Sequence, residues 1–220
     1  SIHLNGLKVD TLFDCSGNNY HAFQNNSSFQ PDLVNYYSYM NYKPSIRFDG
    51  INDIFNGVLI PNISNSSISI FAVASGKTSA ASERGIFSIN DWGNGFWFER
   101  GTSAQSLVIW NKGQYIRGAS ELPDNGFNFK FLTGIKNYEV STKTFINGKQ
   151  SAFSSDATLN GPFTNSPYVI GKTISFWSGD IAEIILYNAN LNDNDRIKVE
   201  NYLRFKYAPP VNLGPDIWGG

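Results

Sequence analysis

Along most of the chain, short runs of apolar residues alternate with polar neighbours or stand unbroken, and each run stops at Gly, Asn, Asp or Pro. Ser45-Ile46-Arg47-Phe48-Asp49-Gly50 alternates inward Ile46 and Phe48 with polar neighbours, which predicts a half-buried strand closed by a turn. Ile68 to Ala74 is unbroken β-prone sequence and predicts a central strand covered on both faces. Gly85 to Asn90, Phe96 to Arg100, Leu107 to Asn111 and Gln114 to Arg117 read as successive short strands. Asp91-Trp92-Gly93-Asn94-Gly95 and Asn111-Lys112-Gly113 are the turns between them. Phe127 to Lys136, Val140 to Ile146, Tyr168 to Gly171 and Asp180 to Tyr187 complete the series, and Asn147-Gly148 is a hairpin signal. Period 3.6 appears once. A helix should begin near Asn192, with Asp193 and Asp195 suited to its positive end. Val199, Tyr202, Leu203 and Tyr207 make its apolar stripe, and Pro209-Pro210 ends it. The expected fold is therefore all-β: a two-sheet antiparallel jelly-roll sandwich with one C-terminal helix. Residues 1–208 form the domain and 209–220 a linker to a following one.

Composition narrows the partners. Of 220 residues, 41% are hydrophobic and 15% aromatic, enough for a two-sheet core. Only 16% are charged and the net charge is -1. Nothing here forms the basic stripe of a nucleic-acid protein. No run reaches the roughly 18 apolar residues of a membrane span, so membrane insertion is not expected. Cys15 is the only cysteine, which excludes an internal disulfide and reads as an inert, partly buried thiol. The abrupt start at Ser1 reads as a fragment of a longer protein, monomeric when isolated. Four N-x-S/T sequons, at Asn25, Asn26, Asn62 and Asn65, are the chance yield of an Asn- and Ser-rich chain.

Three stretches resemble the laminin-G-like, concanavalin A-like jelly rolls of bacterial surface proteins. Asp14-Cys15-Ser16-Gly17-Asn18-Asn19, with Pro31 downstream, is similar to a D-x-S-G-N turn. Ile46-Arg47-Phe48-Asp49-Gly50 with Asp53 is similar to a V-x-F-D-G-x-x-D strand. Gly179-Asp180-Ile181-Ala182-Glu183-Ile184, with Glu200-Asn201-Tyr202-Leu203, is similar to the last strand and helix. The tail Pro209 to Ile217 resembles linkers of multidomain adhesins of gliding Bacteroidetes. The resemblance implies a secreted or outer-membrane-anchored cell-surface location, neighbouring domains in the same chain, and often a glycan or surface polysaccharide as ligand. It also implies, as in some members, one structural calcium, with oxygen ligands from Asp14, Asn18, Asp49 or Asp180 plus loop carbonyls.

A minority of that fold family cleaves polysaccharide with carboxylates about 5–5.5 Å apart, carried as E-x-D-x-E on one strand. The nearest approach is Asp180-Ile181-Ala182-Glu183. Strict alternation sends Asp180 and Glu183 to opposite faces, and Glu99, Glu121 and Glu139 stand alone. A non-catalytic module is expected. His3 and His21 are the only histidines and no G-x-S-x-G elbow occurs, so a hydrolase triad is not indicated. No Cys/His cluster suits zinc. Asn188 to Asp195 lacks the Gly and terminal Glu of an EF-hand and reads as a corner and helix cap.

Sugar recognition needs an aromatic platform ringed by amides and charges. Asp91, Trp92 and Asn94 place an indole at a loop tip, where it has little structural role. Trp97 and Arg100, Trp110, Tyr115 and Arg117 follow on neighbouring strands and form one face if those strands meander. Phe96 and Phe98 alternate with Trp97, so one set turns from the core. Trp177, in another loop, is a further ligand contact or a lid on the sandwich end. A structural spacer or protein-contact module without a sugar site is the alternative, and burial of Trp92 separates the two.

Overall fold

A computed structural model of the protein describes residues 2–37, 40–76, 84–101, 106–118 and 129–207. Among the described residues, sixteen strands join in one hydrogen-bonded sheet. They are β1 (Ile2–Asn5), β2 (Lys8–Leu12), β3 (Ala22–Phe23), β4 (Asp32–Tyr37), β5 (Lys43–Asp49), β6 (Phe55–Asn56), β7 (Ile68–Gly76) and β8 (Arg84–Ile89). Then come β9 (Phe96–Arg100), β10 (Leu107–Asn111), β11 (Gln114–Arg117), β12 (Lys130–Asn137), β13 (Ser141–Ile146), β14 (Lys149–Ser154), β15 (Tyr168–Ile170) and β16 (Ser178–Tyr187). A one-turn helix α1 (Ala157–Asn160) precedes β15, and α2 (Asp193–Tyr207) follows β16. The spatial order is β11-β10-β9-β8-β15-β6-β3-β2-β4-β5-β16-β7-β12-β13-β14, with β1 beside β2. Neighbouring strands are antiparallel.

This ribbon folds over on itself as a jelly-roll sandwich. A Cβ added to Gly134 of β12 would lie 2.7 Å from Ile109 Cδ1 and 3.0 Å from Phe98 Cε2, so β12 lies directly across the core from β9 and β10. Ile68, Ile70, Ala72 and Ala74 of β7 join Phe96, Phe98, Ile109, Leu132 and Ile146 in that core. Phe71 and Val73, on the other face of β7, pack against Leu203 and Tyr207 of α2. An unbroken apolar run is what a strand covered on both faces requires. The expected strands are present. Those without an alternating signal are β1 to β4, β6 and β14, which are short, polar or at the sheet edge.

Helix α2 starts where Asn192 Oδ1 accepts the Asp195 N–H at 3.0 Å. Its buried face differs from the expected stripe. Arg196, Glu200, Leu203 and Tyr207 are buried, whereas Tyr202 is 46% exposed. The reason is an ion pair beneath the helix: Arg196 Nη1 donates to Glu200 Oε2 at 2.8 Å, and Thr133 Oγ1 to Glu200 Oε1 at 2.9 Å. The Arg196 guanidinium also lies 4.1 Å above the Phe145 ring. Hydrophobic periodicity does not register charges buried in pairs.

The parity argument for Asp180 and Glu183 is overturned by a β-bulge. Ile181 pairs with Ala74 and Glu183 with Val73, leaving Ala182 as an extra residue. The slip turns Glu183 to the helix side of the sheet, the side that Asp180 also faces from opposite Ser75. Cys15 is exposed rather than partly buried, and its thiol donates to Phe13 O. The residues of the resembling motifs serve the backbone. Asp14 accepts from Ser16 N at 2.8 Å and Tyr20 N at 3.0 Å. Those bonds outweigh its partial burial and hold its carboxyl below the usual range. Asp49 Oδ1 accepts from Ile51 N at 2.7 Å and Asn52 N at 3.1 Å, while the buried Asp53 accepts from Asp49 N. Gly50 has φ +79°, and a Cβ there would stand 2.5 Å from Ser178 Cβ, so both conformation and space demand glycine. Residues 119–128, with Glu121 and the start of the expected Phe127 strand, and the expected 209–220 linker lie outside the described residues.

Candidate functional site

Strands β9, β10 and β11 form a meander whose register aligns Trp97 with Trp110 and Trp110 with Tyr115. One step along, Glu99 aligns with Val108 and Val108 with Arg117. Phe96, Phe98, Leu107 and Ile109 point into the main core. Alternation therefore puts Trp97, Glu99, Val108, Trp110, Tyr115 and Arg117 together on the opposite face. Trp97, Val108 and Trp110 pack there as a small cluster separate from that core.

Trp110 is the centre of the cluster. Its ring centroid lies 6.3 Å from Trp97, 6.2 Å from Trp92 and 4.4 Å from Tyr115. Trp97 (4% exposed) and Trp110 (8%) form the base, while Trp92 (51%) and Tyr115 (42%) offer aromatic surface to solvent. Within this cluster both buried indole N–H groups have an acceptor. Trp97 Nε1 donates to Asn90 O at 2.9 Å, and Trp110 Nε1 donates to Glu99 Oε1. The Arg117 guanidinium stands 4.7 Å above the Tyr115 ring and donates to its hydroxyl.

Trp92 is held by its own turn. Asp91 Oδ1 accepts from Asn94 N at 3.0 Å and Asn94 Nδ2 at 2.9 Å, and Gly95 N donates to Asp91 O at 2.8 Å. Lys112 N donates to Gly95 O at 3.0 Å, which ties this turn to the next one. Gly113, at φ +75°, lies under the Trp92 ring, where a Cβ would come within 3.5 Å of it.

Thus Asp91, Trp92, Asn94, Trp97, Trp110, Tyr115 and Arg117 come together around one surface. Trp177 and Arg100 do not. Trp177 is buried in the main core, and Arg100 is buried on β9 with the core-facing parity. Both approach Gly76, whose added Cβ would lie 3.6 Å from the Trp177 ring and from Arg100 Cδ. Glu99 lies buried beneath this surface, bonded to Trp110, although the sequence shows it alone. The signal was the two-residue step from Trp97 to Glu99, matched across the ladder by the step from Trp110 to Val108.

The oxygen donors implied for calcium do not fit one cage. Asp14 and Asn18 share the turn between β2 and β3, Asp49 caps its own loop, and Asp180 is buried and bound bidentately by Arg47 at 2.8 and 3.0 Å. Among the described residues, no three His, Cys, Asp or Glu side chains gather as a metal-holding group. Asp180 and Glu183 share a sheet face but hold different cations. Glu183 Oε2 accepts from Lys206 Nζ at 2.8 Å, and Oε1 from Tyr202 at 3.2 Å. Among the described residues, no helix is long and apolar enough to cross a membrane.

No family model and no curated protein matches the chain in sequence. Solved structures do match in fold. The binding domain of Paraclostridial Mosquitocidal Protein 1 is similar with TM-score 0.66 and 17% identity, over 91% of this chain and 51% of that one. Botulinum neurotoxin type C, whose cell entry depends on interaction with two ganglioside molecules, aligns with TM-score 0.58 and 14% identity, over 89% and 51%. The Ruminococcus gnavus IT-sialidase CBM40, bound to α2,3-sialyllactose, aligns with TM-score 0.56 and 12% identity, over 71% and 96%. The chain spans about half the length of the first two. These likenesses establish a β-sandwich fold shared with binding domains.

Proposed function

We propose that the chain is a non-catalytic carbohydrate-binding module and that the face built by β9, β10 and β11 receives the sugar. The observation that carries this reading is Trp92: half-exposed at a turn tip, its indole is packed edge-on to Trp110 instead of buried in a core. A structural spacer gains nothing from displaying it, because exposed aromatic area is a liability unless something covers it. Trp92 and Tyr115 offer flat apolar surface for the C–H face of a pyranose, and Asp91, Asn94 and Arg117 supply polar groups for its hydroxyls. Two of the fold neighbours are tied to sialyllactose or gangliosides, which supports a glycan as ligand. The separate ion pairs of Asp180 and Glu183 argue against bond cleavage, since neither is a free acid or base.

The resemblance in the motifs, the neutral Asn- and Ser-rich composition and the low charge support a place in a larger bacterial cell-surface protein. Weak single-site affinity would there be offset by many copies. A glycan array probed with wild type and Trp92→Ala tests the reading. The variant should lose at least about tenfold in signal, the worth of one stacked aromatic face. A wild type that binds no printed glycan, or a variant that binds equally, rejects it.

A further inference from the structure

We infer that Glu99 is a positioning residue of this surface: its carboxylate sets the plane of the Trp110 indole and couples it to the loop bearing Thr173. The inference rests on the glycan-binding reading above.

Glu99 is fully inaccessible to solvent, in the middle of β9 and on the same face as Trp97. A carboxylate in that position costs far more to bury than any neutral side chain unless its oxygens are bonded. Both are. Oε1 accepts from Trp110 Nε1, and Oε2 from Thr173 Oγ1 at 2.6 Å. If Glu99 served only to fill space, an aliphatic residue of the same volume would pack against Val108 and the indoles at least as well. What the carboxylate adds is direction. An indole has a single donor, so the acceptor that takes it selects one rotation of the ring about its stem. That rotation decides how Trp110 meets Trp92 and Tyr115, the two rings that reach solvent.

The second oxygen reaches across to another segment. Residues 171–177 form a tight turn, closed by Trp177 N donating to Gly171 O at 2.7 Å. This turn is fastened to β8 by Ser88 Oγ donating to Lys172 O at 2.8 Å, Arg84 Nη1 to Phe176 O at 2.9 Å and Gly171 N to Ile86 O at 3.1 Å, and to β9 by Thr173 bonding Glu99. Ile174 at its tip is 56% exposed. The bonds to β8 hold the turn in place, and the Glu99 carboxylate is what links it to the Trp110 indole, so a ligand spanning both meets rings set in register with their flanking turn.

Three variants separate this from a general packing role. Glu99→Leu removes both acceptors while keeping volume, Glu99→Gln keeps an acceptor for Trp110, and Thr173→Val removes the loop bond alone. Two readouts are the glycan-array signal and the Trp110 indole ¹H–¹⁵N resonance. Glu99→Leu should lose about tenfold in array signal and move the Trp110 resonance. Glu99→Gln should stay within about threefold of wild type, and Thr173→Val should fall between. Glu99→Leu binding like wild type, or losing no more than Glu99→Gln with the Trp110 resonance unmoved, overturns the inference. Should Glu99→Leu not fold, the other two variants decide: wild-type binding by Thr173→Val, or a loss of about tenfold by Glu99→Gln with the Trp110 resonance unmoved, overturns it. A wild type silent on the array sinks the parent reading and this one together; a binding wild type with an equal Glu99→Leu sinks this one alone.

Discussion

Lys136 shows how far a single residue can stand from its solution chemistry. It lies on β12 with no solvent exposure, its Nζ 5.0 Å from the Tyr138 ring and 5.7 Å from the Phe163 ring. Burial pulls its ammonium down to about 8, with only Glu139 opposing. The sign follows from proton counting. Between pH 8 and the ordinary lysine value the unfolded chain holds this proton more tightly, so stability should rise with pH across that window. The gain is roughly 3 kcal/mol or a little more in total, at about 1.4 kcal/mol per pKa unit. Above pH 10 the phenol of Tyr168, raised to about 12 by burial, acts in the opposite direction, so the window to measure is pH 8 to 10. Urea unfolding should show the slope in wild type and not in Lys136→Met, which should also be the more stable at pH 7. Parallel curves for the two proteins would contradict it. Nothing in the sequence marks Lys136, because its burial comes from a lysine taking a core-facing position on a strand whose neighbours were read correctly. Trp92 is the opposite case. Its place between Asp91 and Gly93 was legible, since a turn-tip indole has few structural uses.

At the scale of elements, the helix and the platform meander are each held by paired polar groups. Removing one partner of the Arg196–Glu200 pair leaves a buried charge. Glu200→Ala should therefore destabilise by about 3–5 kcal/mol, whereas Arg196→Met with Glu200→Leu together should be near neutral or stabilising. Equilibrium unfolding of both variants checks this, and a double variant as unstable as the single one would refute it. Gly134 marks the closest approach of the two layers. Gly134→Ala should cost about 1–3 kcal/mol by overpacking Ile109 and Phe98, read as a drop in the unfolding midpoint. An unchanged midpoint would mean that the layers separate freely at that point. The strands with alternation or unbroken apolar runs were legible because two-residue periodicity needs only one buried face. The bulge at Ala182 was not, since an extra residue has no compositional mark, and it reversed the parity assigned to Glu183. The two-residue strands β3 and β6 were also hidden, because their ladders depend on partners far away in the chain.

Across the whole molecule, the two outer faces of the sandwich are unequal. Helix α2 covers the face of β7 with Leu203 and Tyr207, and Lys206 with Tyr202 engages Glu183 on β16. The face of β9, β10 and β11 carries aromatic surface instead. A groove of about 420 Å³ does lie beside α2, lined by Glu183, Ile185, Tyr187, Lys198, Val199 and Tyr202. The fold neighbours, at 12–17% identity, keep the sandwich while their sequences diverge. A scaffold held by strand pairing and a shared core tolerates such change, and recognition is then set by the loops and faces. Fold class was therefore readable from pattern, and the proposed binding face was readable only in part: the platform indoles were visible, and the buried carboxylate beneath them was not. Titration of ¹⁵N-labelled protein with the glycan that gives the strongest array signal tests the central claim most directly. The indole resonances of Trp92 and Trp110 should shift saturably, while Trp177 and the amides of α2 stay in place. Shifts confined to the groove beside α2, with Trp92 and Trp110 unmoved, would contradict it.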